Sequence, residues 1–172
     1  VQHRVEGLTF DVGVFTNLTQ DHLDYHHTME EYRDAKGLLF RQCETAVLNL
    51  DDEAGRWYRE RLSCPVFTYS ENKDAADLTA KNIRLFPGHV EFEAVSRQDI
   101  QRIHLPIPGG FTIYNALAAA SCGLCLGLEL GEIAGPPGWG HSHHPQSRQC
   151  PRPASGCAVR ARSAAPRCGK WR

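Results

Sequence analysis

The sequence predicts an α/β fold, with a mostly parallel sheet flanked by helices and a small antiparallel meander. Two observations support this prediction. Short apolar runs at 46–50 and 65–69 are typical of buried parallel strands, and an amphipathic helical pattern at 51–62 separates them. Three β-rich stretches within 78–107, divided by turn-forming residues, predict consecutive antiparallel strands.

The first element in chain order is a strand at 8–16. Its apolar side chains occupy alternate positions, at Leu8, Phe10, Val12 and Val14. The last element is an Ala-rich helix at roughly 112–128. Its small side chains permit close packing against a sheet.

The helix predicted at 28–40 has a clear start signal, because Thr28 is a good N-cap and Glu31 follows it by three residues. Lys36 falls on the apolar stripe of this helix, one turn from Tyr32. A lysine in that position is most often a surface residue whose stem covers apolar surface. The alternative is a desolvated amine that reacts in its neutral form.

The segment 16–27 (TNLTQDHLDYHH) leaves the first strand and enters that helix, so it lies at the carboxyl end of a strand. Open α/β sheets bind their ligands there. Six polar side chains fall within eleven residues of this segment: Asn17, Asp21, His22, Asp24, His26 and His27. Such density can bind a metal or a phosphate-bearing ligand. A polar loop in which Asp21 or Asp24 caps a short helix explains the composition equally well.

Charge divides the 172-residue chain near residue 134. Residues 1–134 carry 12 Lys and Arg against 20 Asp and Glu, a net of −8, whereas residues 135–172 carry seven Arg and Lys and no acid, a net of +7. The second segment also holds six of the ten prolines. It contains too few large apolar residues to offset the entropy of ordering, so we expect a disordered basic tail.

The whole chain has a net charge of −1, which argues against general nucleic-acid binding. It has no run of 18 apolar residues, so we expect no membrane span. The N-terminal residues contain no apolar signal segment, and we therefore expect a cytoplasmic protein whose seven cysteines are reduced. We also expect a monomer.

Two groups of cysteines suggest alternatives to a simple scaffold. Cys122 and Cys125 have the spacing of a redox pair, but they lie within the Ala-rich helix, which favours core packing. The tail contains six possible zinc ligands: His141, His143, His144, Cys150, Cys157 and Cys168. Their spacing matches none of the usual zinc arrangements, so a zinc site is the weaker interpretation.

Four segments in order, TNLTQDHLDYH, TMEEYRDAKGLLF, VLNLDD and LPIPGGFTIYNALAAASC, resemble the central domain of the Mur ligases over residues 1–134. The opening QHR and the pairing of DHLDYH with YRDAK are most similar to the member that adds the third peptide residue, meso-diaminopimelate or L-lysine, to UDP-N-acetylmuramoyl-L-alanyl-D-glutamate. The resemblance implies an ATP-dependent, amide-forming ligase of peptidoglycan synthesis. A folylpolyglutamate-type ligase fragment, or a non-catalytic or pseudogene product, is the alternative.

The resemblance also implies roles for two catalytic residues. Lys36 matches a lysine that carbon dioxide converts into a carbamate, and His22 matches a metal-ligating histidine. Together they would hold the Mg²⁺ ion that bridges an acyl phosphate and ATP. Imidazole is an unusual ligand for Mg²⁺, which prefers oxygen, so the role of His22 comes from the resemblance alone.

Five further positions match binding residues of the family. Gln2 and Arg4 match residues that bind the UDP-muramoyl dipeptide, and a guanidinium suits the D-glutamyl carboxylate of that substrate. Asn115 matches the asparagine that reads the adenine ring, although a residue near a helix start could instead satisfy backbone groups. Asn17 and Asp21 complete the predicted ATP site.

The chain also departs from the family pattern. It contains no G-x-x-G-K-T phosphate loop, no N-terminal uridine-binding domain and no C-terminal domain that selects the amino acid. We therefore expect the isolated chain to be inactive. The Arg, Pro, Ala, Gly and Cys bias after Ala134 indicates a shifted reading frame near residues 131–136. Retranslating the DNA with one base inserted or deleted should restore a Mur-like continuation, and the idea is wrong if no frame does so.

Overall fold

A computed structural model of the protein describes residues 7–19 and 28–135. Its strands are β1 (Phe10–Phe15), β2 (Cys43–Asn49), β3 (Val66–Ser70), β4 (Leu78–Leu85), β5 (Val90–Ser96) and β6 (Ile100–Leu105). Its helices are α1 (Met29–Gly37), a 3₁₀ helix (Leu38–Gln42), α2 (Glu53–Arg59), α3 (Phe111–Cys125) and α4 (Leu130–Ala134).

The six strands form one sheet in the order β1-β2-β3-β4-β5-β6. Strands β1 to β4 run parallel, and β4, β5 and β6 are antiparallel neighbours. The predicted α/β class, with its antiparallel meander, is confirmed. The meander joins the parallel sheet directly, because Tyr69 and Ser70 of β3 pair with Leu78 and Thr79 of β4.

Several predicted elements differ from the structure at their ends. The first strand begins at Phe10, and Leu8 lies outside it with 47% of its surface exposed. The helix predicted at 28–40 is α-helical only to Gly37 and then tightens into the 3₁₀ helix. The tighter turn places Phe40 in the core, where its ring lies 5.3 Å from the ring of Tyr58.

The start of α1 agrees with the sequence. Thr28 has an extended backbone, and its hydroxyl accepts a hydrogen bond of 3.1 Å from the amide of Glu31. This bond satisfies one of the free amides of the first helical turn. Glu30 and Glu31 add negative charge at the positive end of the helix dipole.

Helices cover the sheet from both sides. Helix α3 packs over one face, and the largest fully buried side chains of that core are Tyr69, Phe92, Leu78, Ile113 and Leu117. The opposite face of β1 and β2 packs against α2 and the 3₁₀ helix, with a core of Phe15, Phe40, Ala46, Leu48, Ala54 and Tyr58. Strand β1 is therefore covered on both faces, whereas simple alternation predicts one buried face.

Glycine allows α2 to lie directly on the sheet. A Cβ atom at Gly55 would stand only 1.8 Å from the backbone oxygen of Asn49. The contact holds the start of α2 against the end of β2 and so fixes the loop between them.

The Ala-rich helix α3 ends at Cys125 instead of reaching residue 128, because Gly127 adopts a φ of 89° and turns the chain. Cys122 and Cys125 are half-buried free thiols within this helix. Burial raises the pKa of Cys125 to about 11, which fits core packing better than redox chemistry. In the part of the chain that the structure describes, no helix has the length and apolarity to cross a membrane.

Candidate functional site

An open cleft of about 290 Å³ lies at the carboxyl ends of β1 and β2, facing the start of α3. Three segments line it: Thr16 and Asn17 after β1; Asn49, Asp51 and Asp52 around the end of β2; and Phe111, Tyr114 and Asn115 on α3. The cleft occupies the edge where parallel sheets place their ligands. These three segments form the three walls of the cleft.

Asn49 joins the first two walls. Its side chain is only 5% exposed, and its amide donates a hydrogen bond of 2.9 Å to the backbone oxygen of Thr16. Its side-chain oxygen accepts a bond of 2.9 Å from the amide of Asp51. Both polar ends of a buried amide are thus satisfied, and the loops after β1 and β2 are held in one arrangement.

Asp52 makes a second connection between these loops. One carboxylate oxygen accepts from the amide of Ala54 at 2.8 Å and caps α2. The other accepts from the amide of Leu18 at 2.9 Å. Charge-assisted bonds to backbone amides are among the stronger hydrogen bonds. The Asp52 carboxylate therefore holds the loop after β1 and the start of α2 in place around the cleft.

Asp51 connects β2, β3 and α3. Its carboxylate accepts from the Ser70 hydroxyl at 2.7 Å, from the Glu71 amide at 2.8 Å and from the Tyr114 hydroxyl at 3.2 Å. Burial raises the pKa of Asp51, but these hydrogen bonds outweigh it, and the net effect lowers the pKa. Asp51 is therefore an ionised acceptor that holds three elements together.

Tyr114 is the donor to Asp51 from the third wall. Burial, and then the negative charge of Asp51, raise the pKa of its hydroxyl. The hydroxyl stays protonated and also accepts a bond of 3.2 Å from the Asn72 side chain. This contact fixes the rotation of α3, on which Asn115 is the next residue.

Asn115 and Phe111 form the third wall on one side of α3, four residues apart. Asn115 is exposed, and Phe111 is 67% exposed. An amide beside an exposed aromatic ring can bind a flat, polar ring by hydrogen bonding and stacking. Asn17 faces the same cleft from the loop after β1.

Lys36 lies next to this cleft and outside its lining. It lines a smaller pocket of about 170 Å³ with Leu39 and Phe40, and the two pockets share Thr16 and Asn17. The half-buried Lys36 amine donates a hydrogen bond of 3.1 Å to the backbone oxygen of Asn17. It also lies 4.8 Å from the centre of the Tyr32 ring.

The lysine is therefore neither a solvated surface residue nor fully desolvated. A carbonyl oxygen and an aromatic face are both partners for an ammonium group. Either chemical state of the amine that the sequence suggested is compatible with this position, so the carbamate stays a prediction.

The structure brings Asn17 and Asn115 to one cleft and Lys36 to its border. The other predicted site residues, Gln2, Arg4, Asp21 and His22, lie outside the described residues, as does the tail beyond Gly135 with its possible zinc ligands. The sequence did not single out the residues whose hydrogen bonds hold the walls of the cleft, Asn49, Asp51, Asp52 and Tyr114. The signal for three of them was present in VLNLDD, where polar residues directly follow a buried strand.

The fold and the cleft define an α/β domain with an open cleft at the carboxyl ends of its parallel strands, the edge where sheets of this kind place their ligands. Residues 1–123 match the Mur ligase middle domain, and the chain belongs to this family. Its scaffold is that of an enzyme family whose members join acids to amines.

Among curated relatives, the chain is 44% identical over 142 residues to the UDP-N-acetylmuramoyl-L-alanyl-D-glutamate–2,6-diaminopimelate ligase of Geobacillus thermodenitrificans, which covers 77% of this chain and 29% of the relative. It is 42% identical over 133 residues to ligase 2 of the same name from Clostridium acetobutylicum, with 77% and 27% covered. The chain thus spans less than a third of the length of these relatives.

A solved structure of a UDP-N-acetylmuramoyl-L-alanyl-D-glutamate–2,6-diaminopimelate ligase matches the fold with a TM-score of 0.66 and 29% identity. The match covers 72% of this chain and 27% of that one. These relatives do not favour the folylpolyglutamate alternative.

Proposed function

We propose that this chain is the middle-domain part of an ATP-dependent ligase that adds a diamino acid to UDP-N-acetylmuramoyl-L-alanyl-D-glutamate. The observation that carries the proposal is the convergence of Asn17 and Asn115 on one cleft, with Lys36 at its border. The relatives named for this reaction support it. Diaminopimelate is the amino acid in their names, and L-lysine is the alternative.

In this proposal the third wall of the cleft holds the adenine ring of ATP. The Asn115 amide offers one donor and one acceptor, which suits the edge of adenine. The exposed Phe111 ring supplies a stacking face, and base–aromatic stacking is worth about 1–3 kcal/mol per base. Because Tyr114 is fixed by Asp51 at 3.2 Å, the start of α3 that carries Asn115 is held at the cleft before the nucleotide arrives.

Lys36, at the border of the cleft, gains oxygen ligands for a cation once its amine is modified. Carbon dioxide adds to a neutral amine, which loses one proton to solvent and becomes a carbamate whose two oxygens share one negative charge, and Mg²⁺ prefers oxygen ligands of this kind. We propose that Lys36 in this form and His22 would hold the ion. When bound, Mg²⁺ neutralises charge on the transferring phosphoryl group.

The two Asp residues of the cleft are poor candidates for that ion. Asp51 accepts three hydrogen bonds at 3.2 Å or less, and Asp52 accepts one bond on each oxygen. A metal ion would have to share either carboxylate with the hydrogen bonds that hold the walls of the cleft. We assign them to positioning of the walls.

The proposed reaction proceeds in two steps. The substrate's carboxylate attacks the γ-phosphorus of ATP to give an acyl phosphate and ADP. The amine of the incoming amino acid then attacks the acyl carbon, and phosphate leaves as the amide forms. Gln2 and Arg4 are the proposed contacts to the UDP-muramoyl dipeptide, and Arg4 can pair with a carboxylate through two hydrogen bonds.

Nuclear magnetic resonance tests the nucleotide site on the chain as it exists. We expect ATP to shift the side-chain amide signals of Asn17 and Asn115, and we expect CTP at the same concentration to leave them unchanged. Asn115→Ala should abolish the response of Asn17. Phe111→Ala should weaken it several-fold, whereas Phe86→Ala, a matched exposed ring outside the cleft, should not. Equal responses to ATP and CTP would refute the adenine assignment.

A second assay tests catalysis. With ATP, UDP-muramoyl dipeptide and diaminopimelate, we expect no phosphate release from this chain, since it has no G-x-x-G-K-T loop to hold the phosphates. Nucleotide binding without turnover supports a middle domain that needs further parts. Turnover would refute the expected inactivity and still support the ligase. The absence of both binding and turnover would favour a non-catalytic product.

A further inference from the structure

A cluster of metal-ligating side chains lies on the antiparallel meander and takes no part in the cleft. His89 immediately precedes β5, Glu91 is the second residue of β5, and His104 on β6 is the register partner of Glu91. Val90 and Phe92 are buried against α3, so Glu91 projects from the opposite face of the sheet. Residues two apart on a strand and partners across strands lie side by side, which brings the three side chains together.

The distances within this cluster are close to those of a metal site. The Glu91 Oε1 atom lies 3.3 Å from His104 Nδ1 and 3.7 Å from His89 Nε2. One ligand atom from each residue lies within 4.8 Å of the other two. Tetrahedral zinc with bonds of about 2.0–2.1 Å separates its ligands by about 3.3 Å. The distances from Glu91 to the two histidines therefore need little change to bind the ion. The remaining distance, between the two imidazole nitrogens, shortens when the half-exposed rings tilt toward each other.

The surroundings hold the first histidine in place. The Phe86 ring stacks on the His89 ring at 4.3 Å, and the Phe86 amide donates a bond of 2.9 Å to the His89 backbone oxygen across the turn. The ring of His104 lies 4.6 Å from that of His89. Arg84, the register partner of Glu91 on β4, is a positive charge on the other side of the carboxylate.

We propose that His89, Glu91 and His104 form a transition-metal site for Zn²⁺ or a similar cation, with water in the remaining position. Two imidazoles and one carboxylate suit Zn²⁺, Co²⁺, Ni²⁺ and Cu²⁺, whereas Mg²⁺ and Ca²⁺ require oxygen ligands. A bound ion would join the turn before β5 to β6 and so clamp the open end of this hairpin. The site is independent of the proposed ligase function.

Co²⁺ titration of the purified chain, followed through its d–d absorption and through competition by Zn²⁺, tests the site. We expect one tight ion, and a loss of affinity of about tenfold to a hundredfold or more in each of His89→Ala, Glu91→Gln and His104→Ala. Glu93→Gln is the matched control, because Glu93 is the next residue on the same face of β5 and pairs with Arg102 at 3.3 Å. It should bind Co²⁺ like the unmodified chain.

The histidines and cysteines beyond residue 135 are present in all of these variants, so they cancel in the comparison. Thiolate ligands would add a sulfur-to-cobalt charge-transfer band, which the proposed site cannot give. Equal Co²⁺ affinity in all four variants and the unmodified chain would overturn the proposal. So would a spectrum with thiolate bands that the three substitutions leave unchanged. Far-UV circular dichroism checks the fold of each variant, and neither result bears on nucleotide binding.

Discussion

Replacing Asp51 by Ala should destabilise the protein strongly, because one carboxylate connects β2, β3 and α3. The change removes three hydrogen bonds of 2.7–3.2 Å to an ionised group. Such bonds contribute about 1.5–3 kcal/mol each, but water can replace Asp51 at the more exposed partners. Ser70 is fully buried, and its hydroxyl would lose its acceptor. We therefore expect a loss of about 3 kcal/mol in the free energy of unfolding.

Urea unfolding measures this loss. With a slope of about 1–3 kcal/mol per molar, the midpoint should fall by roughly 1–3 M. Asp51→Asn keeps one acceptor oxygen and should cost about half as much. Asp74→Ala is the control, since the Asp74 side chain is 83% exposed in its ion pair with Lys81 and should contribute less than about 1 kcal/mol.

The pH dependence gives an independent check on the same residue. Folding lowers the pKa of Asp51, so its stabilisation is present above the pKa of an unfolded aspartate, about 3.9, and disappears as the pH falls through the lower folded value. The difference in stability between the unmodified chain and Asp51→Asn should shrink over this acidic window. A loss below about 1 kcal/mol for Asp51→Ala, or a gap that stays constant down to strongly acidic pH, would refute the reasoning.

Three further predictions concern the scaffold. Gly55→Ala should lower the free energy of unfolding in urea by at least about 2 kcal/mol, because its Cβ would lie 1.8 Å from a backbone oxygen. Gly88→Ala, with open space around it, should lower it little. Equal losses in the two variants would contradict the close approach at Gly55. Thr28→Ala should cost about 1 kcal/mol through its lost cap, and Thr28→Ser should restore most of it. Burial raises the pKa of Cys43 and Cys125 to about 11, so iodoacetamide should label both slowly at pH 7 and faster as the pH rises; rapid labelling at neutral pH would contradict this.

Most of the fold was predictable because its signals are local. Apolar runs, one N-cap and turn residues define most of the elements with an error of a few residues at their ends. The parallel pairing of β3 with β4 was harder, since it rests on contacts between Tyr69–Ser70 and Leu78–Thr79 across a loop that contains no strand signal. The end of α1 at Gly37 was missed because the packing of Phe40 against Tyr58 determines it.

Only part of the candidate site was predictable from the sequence. Only the family resemblance pointed to Asn115, which lies about one hundred residues from Asn17 in sequence and meets it through the topology of the sheet. The motif VLNLDD predicts no role for Asn49, Asp51 and Asp52, because only the fold brings their distant backbone and side-chain partners within hydrogen-bond distance. The contact of Lys36 with a backbone oxygen has no sequence signal at all.

The loop after β1 is held by residues that support the cleft and also contains a residue of the proposed nucleotide site. Three consecutive residues of this loop are anchored through their backbone by side chains from elsewhere: Thr16 by Asn49 at 2.9 Å, Asn17 by Lys36 at 3.1 Å, and Leu18 by Asp52 at 2.9 Å. The anchors made by Asn49 and Asp52 do not depend on the proposed modification, because neither side chain is changed by it.

The third anchor depends on the chemical state of one amine. A carbamate on Lys36 would keep one N–H on Nζ as a donor to the carbonyl oxygen of Asn17, but it would replace the positive charge of the ammonium by a negative charge, so this hydrogen bond would lose its charge assistance. The proposed modification would therefore weaken the middle anchor of the loop while both of its ends stay fixed. Since Asn17 lines both pockets, the amine proposed to hold the metal would also influence the position of a residue that lines the proposed nucleotide cleft.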